Sequence, residues 1–167
     1  MCAGTRVQKI LGAMQVAETK YNRLVLVVAQ SGSGKTEALM EVSKQSGARY
    51  VNVNLELSER LLNLTQRQRQ LKTSEKLAEL VSDASIDGKN RETRLVVLDN
   101  IEILFDVSLK LDPLACLQQL SKNTTLIASW NGSVENGNLT YARPGHPEYR
   151  KYAAKDLLII ELVGEPD

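Results

Sequence analysis

The stretch RLVLVVAQSGSGKTEALM, residues 23–40, decides the fold. Five consecutive apolar residues, 24–28, read as a strand buried on both faces. A turn rich in Ser and Gly follows, then Lys35 and Thr36, then a run of good helix formers from Glu37. A strand, a glycine-bearing loop and a helix in that order make a cradle for phosphate. Backbone N–H groups of such a loop converge on phosphate oxygens, and the positive end of the following helix adds to the attraction. Gly32 and Gly34 admit conformations and close approaches that a Cβ would block. Lys35 can reach terminal phosphates, and the Thr36 hydroxyl can ligate Mg2+. The full pattern is G-x-x-x-x-G-K-[ST], and Ala29 stands at its first position. Gln30, Ser31, Gly32, Ser33, Gly34, Lys35 and Thr36 are therefore the candidate binding set for ATP or another nucleoside triphosphate. A plain surface turn with a solvated lysine is disfavoured by the flanking strand and helix.

Composition narrows the setting. At 167 residues the chain is long enough for one P-loop domain, 1–167, and too short for two of ordinary size. A net charge of +1 singles out neither nucleic acid nor membrane as a partner. Two cysteines, Cys2 and Cys116, and a single histidine, His146, support neither a disulfide framework nor a metal cluster. No apolar run approaches the roughly 20 residues of a membrane span. Gln8, Lys9 and Gln15 interrupt any signal-peptide core. A reducing, cytoplasmic home is the default expectation.

Working outward, apolar residues at 7, 10, 11, 14 and 17 predict a helix over 5–20. The helix after the loop should cover 36–45 and stop at Gly47. RYVNVNL, 49–55, alternates and is β-branched, so it reads as a second strand. Ser58 is a candidate N-cap for a helix beginning at Glu59, and Ser74 for another carrying Leu77, Leu80 and Val81. Residues 87–90 read as a turn, 94–99 as a third strand, and 113–120 as a helix opened by Pro113. Residues 124–129 read as a fourth strand, 131–147 as a loop and 157–163 as a fifth strand. Strands alternating with helices imply right-handed crossovers and a parallel sheet with helices on both faces. Ligands then bind outside the carboxyl ends of the strands.

The third strand ends in Leu95-Val96-Val97-Leu98-Asp99, four apolar residues and an acid. An Asp there holds the Mg2+ shell beside the phosphate loop, the Walker B role. With these two motifs the chain resembles the additional-strand P-loop ATPases, including the AAA+ group. That resemblance implies an α/β, three-layer P-loop NTPase with a five-stranded parallel sheet. In this group an acid usually follows the Walker B Asp and activates water. Here the next residue is Asn100, and an amide can orient water but cannot accept its proton. Glu102 is the nearest replacement base. Ser129 or Asn131, at the end of the fourth strand, would contact the terminal phosphate or the water. Arg143 and Arg150 lie where the group often carries an arginine finger, though a surface arginine beside a Pro-Gly turn is the plainer reading. Arg67, Arg69 and Lys72 form a small basic patch, read more readily as a solvated helix face than as a nucleic-acid contact. The chain ends soon after its fifth apolar run, so no C-terminal helical lid is expected. A lidless site favours weak or assembly-dependent hydrolysis.

A short N-terminal helix, a Gly-Ser-Gly-Lys-Thr loop, the segment Leu98-Asp99-Asn100-Ile101-Glu102 and a missing lid together resemble the BrxF family. Those are the compact P-loop proteins of type 3 BREX phage-defence systems. The resemblance implies a bacterial ATP- and Mg2+-binding module that acts as a homo-oligomer, with other defence-system proteins, or both. Two other classes stay open: a nucleotide-dependent switch or scaffold with little hydrolysis, and a small-molecule kinase.

Overall fold

The computed structural model describes residues 3–30, 32–87 and 94–162. Its order is α1 (Ala3–Ala17), β1 (Leu24–Ala29), α2 (Lys35–Ser46), β2 (Arg49–Asn52), α3 (Val53–Leu61), α4 (Gln66–Asp87) and β3 (Leu95–Asp99). Two short 3₁₀ turns, Glu102–Phe105 and Val107–Leu109, lead to α5 (Pro113–Leu120). Then come β4 (Thr125–Glu135), β5 (Asn138–Tyr141), β6 (Arg150–Ala153) and β7 (Leu158–Glu161).

Five strands form the expected parallel sheet, in the order β2-β3-β4-β1-β7. Period-two alternation sorts its side chains. Leu24, Leu26 and Val28 of β1 face a core filled by α3, α4 and α5, whereas Val25, Val27 and Ala29 face α1 and α2. Three layers result, with helices on both sides of the sheet. Among the described residues no helix follows β7.

Four expectations need correction. The second strand stops at Asn52, and 53–55 already belong to α3. Asn52 caps that helix by accepting the Leu55 N–H at 3.2 Å, and Val53, Leu57 and Leu61 repeat every fourth residue as its buried stripe. Ser58 is therefore inside α3, not its cap. Ser74 lies inside α4, whose start is set by Thr65 and Gln68: the Gln68 Oε1 accepts the Thr65 N–H at 2.9 Å, and the Thr65 Oγ1 accepts the Gln68 N–H at 3.2 Å. This reciprocal pair is a capping box. Finally, 131–147 is not one loop. β4 runs on to Glu135, turns through Asn136-Gly137 at φ 51° and 76°, and returns as β5, with β6 paired beyond it. Both φ values are positive, as the tight two-residue hairpin turn requires. The turn expected over 87–90 falls mostly outside the described residues, as does Ser31.

Candidate functional site

The loop expected to cradle phosphate lies at the carboxyl edge of the sheet. Gly32 and Gly34 both take the left-handed conformation, at φ 83° and 82°. Ala29 is still part of β1 and has no positive φ, so a glycine is not demanded at that position. Lys35, the first residue of α2, is 7 % exposed, and its Nζ donates to the carbonyls of Gln30 (3.1 Å) and Ala29 (3.2 Å). Burial pulls its ammonium below the ordinary lysine value, opposed by the charges of Asp99 and Glu102. From α1, the Arg6 Nη1 donates to the Ser33 carbonyl at 2.8 Å and ties the first helix to the loop.

Strand alternation brings the remaining groups in. Asp99 shares its face of β3 with Leu95 and Val97, on the α1/α2 side, and Ser129 and Asn131 share the corresponding face of β4 with Ile127. The Thr36 Oγ1 donates to Asp99 Oδ2 at 2.7 Å. The Tyr50 hydroxyl donates to the same oxygen at 2.5 Å, and the Asn100 N–H donates to Oδ1 at 2.9 Å. Burial alone would raise the Asp99 carboxyl. Hydrogen bonds from Tyr50, Thr36, Ser129 and the Asn100 backbone outweigh it and hold the group below the usual carboxylate value. Burial, then the Asp99 carboxylate, push the Tyr50 phenol up, so it stays a donor.

The cleft between the loop and these strand ends holds about 290 Å³. Gly32, Gly34, Lys35, Thr36, Asp99 and Asn100 line it, joined by Glu102 and Asn131. The Asn131 Nδ2 donates to Glu102 Oε1, while Glu102 Oε2 is buried without a hydrogen-bond partner. Asn100 takes a left-handed backbone at φ 52°, which Asn tolerates better than most residues.

The two candidate finger arginines do not line this cleft. Arg143 is exposed and lines a second pocket, of about 390 Å³, that meets the first at Asn131. The Arg150 Nη2 donates to the Leu111 carbonyl at 2.8 Å, a tie between β6 and the α5 approach. Arg69 Nε donates to the Leu64 carbonyl, and His146 Nδ1 accepts the Glu148 N–H. Trp130 is fully buried on the opposite face of β4, against Phe105, Tyr141 and Tyr152, with its Nε1 donating to the Thr140 carbonyl at 3.0 Å. It faces away from the β1–α2 loop. The residue that sequence reasoning missed is Tyr50: a tyrosine near a strand end has no motif, and only the register of β2 on β3 reveals its reach.

No family model matches the sequence, and no curated protein matches it. Among solved structures, the fold is similar to that of PCH-2 from C. elegans, at a TM-score of 0.52 and 14 % identity. The match covers 99 % of this chain and 43 % of that one, so the chain spans less than half the length of that protein. At this identity the likeness concerns the fold alone. Among the described residues no helix is long and apolar enough to cross a membrane.

Proposed function

We propose that this chain is an ATP- and Mg2+-binding P-loop ATPase module that acts within a larger assembly. One observation carries the reading: Thr36, at the start of α2, meets Asp99, at the end of β3, through a 2.7 Å hydrogen bond, beside the buried ammonium of Lys35. A hydroxyl that donates to a carboxylate keeps lone pairs for a cation. The residues fit the ion and its nucleotide: a hydroxyl–carboxylate pair, a cradle that Cβ atoms at 32 and 34 would crowd or strain, and an orphaned carboxylate oxygen on Glu102. When bound, Mg2+ neutralises charge on the phosphate oxygens.

Each residue then has a task. Backbone N–H groups of 32–36 and the Lys35 ammonium bind and orient the phosphates. Thr36 and Asp99 hold the metal or its water. Glu102 accepts the proton of the attacking water, since Asn100 cannot. Asn131 orients that water, and its hydrogen bond to Glu102 Oε1 orients the base while Oε2 is left to take the proton. Turnover by the isolated chain is slow, since Asn100 stands where a second acid would help, and rises on assembly as a homo-oligomer or with partners. Asn100 is also the observation that favours a second reading, a nucleotide-dependent switch with little hydrolysis. A role in bacterial phage defence, in the cytoplasm beside other BREX components, rests on the sequence resemblance to BrxF.

The test is a calorimetric titration of the chain with ATP and Mg2+, paired with phosphate release over a range of protein concentrations. Binding with turnover per chain that climbs with concentration is expected. Binding without turnover at every concentration favours the switch, and phosphate appearing on an added acceptor favours a kinase. Lys35→Ala should weaken ATP binding by roughly a hundredfold or more. Undiminished affinity in that variant would remove the site.

A further inference from the structure

Tyr50 belongs to no nucleotide-binding motif, yet it contacts the acid at the centre of the site. Its position follows from register: Tyr50 on β2 stands opposite Val97 on β3, two residues before Asp99. Its ring is partly buried and packs against the core on the α2 side of the sheet. From that anchor the hydroxyl reaches Asp99 Oδ2 at 2.5 Å. A phenol has two rotatable angles, so a packed ring delivers its oxygen to a nearly fixed point.

Asp99 thus has two kinds of donor. Thr36 sits on α2, at the cleft, where its hydroxyl keeps lone pairs for a cation. Tyr50 approaches from the neighbouring strand and is not among the residues that line the cleft. Carboxylates that hold a metal or its water need outer partners to fix their orientation, and loss of such a partner commonly costs ten- to a hundredfold in metal affinity. Building on the proposed ATP and Mg2+ site, we infer that Tyr50 is a positioning residue for the metal: it locks the Asp99 carboxylate so that Mg2+ strengthens nucleotide binding.

The experiment separates this from simple packing. ATP affinity is measured by calorimetry on the full chain, with Mg2+ and with EDTA, for wild type and Tyr50→Phe. The phenylalanine keeps the ring and removes only the hydroxyl. The expected result is an unchanged affinity in EDTA and a loss of about tenfold with Mg2+. In an Asp99→Asn background, Tyr50→Phe should add nothing to the Mg2+ effect. Equal losses in both media would mean a structural role and overturn the inference, as would a full Mg2+ gain in Tyr50→Phe. If wild type itself gains nothing from Mg2+, the metal site falls and the inference with it. Because each variant is referred to its own EDTA value, a lowered melting temperature does not blur the outcome.

Discussion

At the scale of single residues, the candidate base and its neighbours divide the labour between backbone and side chain. Asn100 follows Asp99 at φ 52°, a left-handed backbone that Asn adopts at less cost than a longer side chain. Asn100→Glu should therefore cost stability as well as test catalysis. Glu102 is the better probe. Glu102→Gln keeps the shape and the Asn131 neighbour but cannot take a proton. ATP binding should stay within a fewfold of wild type while phosphate release falls by about a hundredfold or more. Unchanged release would move the base elsewhere. Gly132 carries a different constraint. A Cβ there would lie 1.8 Å from the Thr140 carbonyl oxygen, which is backbone and cannot turn aside, and 3.1 Å from the Trp130 Nε1. Gly132→Ala should destabilise by roughly 3 kcal/mol, read from urea unfolding, and shift the tryptophan emission. Both changes report the same forced opening of β4 from β5.

At the scale of elements, what was legible depended on how many constraints spoke at once. β1 and β3 are buried on both faces and end in motif residues, so composition and chemistry agreed on them. The β2–α3 boundary was obscured because Val51 and Val53 alternate like a strand, while the deciding features, the Asn52 cap and the four-residue spacing of Val53, Leu57 and Leu61, span the boundary. The start of α4 did have a local signature, Thr65-x-x-Gln68, hidden by the polar run beside it. The hairpin also had one, Asn136-Gly137. Asn131-Gly132 looks like the same signal, yet it lies inside β4. There the glycine serves close strand approach rather than a turn. Tyr50 and the Asn131–Glu102 contact depend on sheet register, which no short window contains. Two predictions belong here. Thr65→Ala removes one arm of the capping box and should cost about 1 kcal/mol without altering nucleotide affinity. On α5, burial and then Asp112 push the Cys116 thiol up to about 11, from an ordinary 9.0. Its thiolate is scarce at neutral pH, so in a Cys2→Ser background alkylation near pH 8 should run about a hundredfold slower than for a free thiol. Ordinary reactivity would mean that α5 opens readily.

At the scale of the whole molecule, the cleft is built from pieces that only the complete sheet brings together: the β1–α2 loop, the ends of β3 and β4, and the 3₁₀ turn after β3. Unfolding any of these strands dissolves it, so a ligand that needs the cleft binds the native state and not the unfolded chain. Stability must then rise with ligand as RT ln(1 + [L]/Kd), about 2.7 kcal/mol at a hundredfold excess over Kd. For a chain of this size that corresponds to a rise in melting temperature of roughly 5–10 °C. The acid limb carries the same signature through Asp99. Its carboxyl is held low when folded, so its contribution is full above the ordinary carboxylate value and is lost as pH falls through the folded one. Without ligand, the stability gap between wild type and Asp99→Asn should be widest near neutrality and close in strong acid. With ATP and Mg2+ at neutral pH, wild type should show the thermal rise and Lys35→Ala at most about 1–2 °C of it. Tyr50→Phe should keep the part of the rise that ATP alone gives in EDTA. A wild-type melting temperature indifferent to nucleotide would mean that the cleft, although assembled, has no triphosphate to hold.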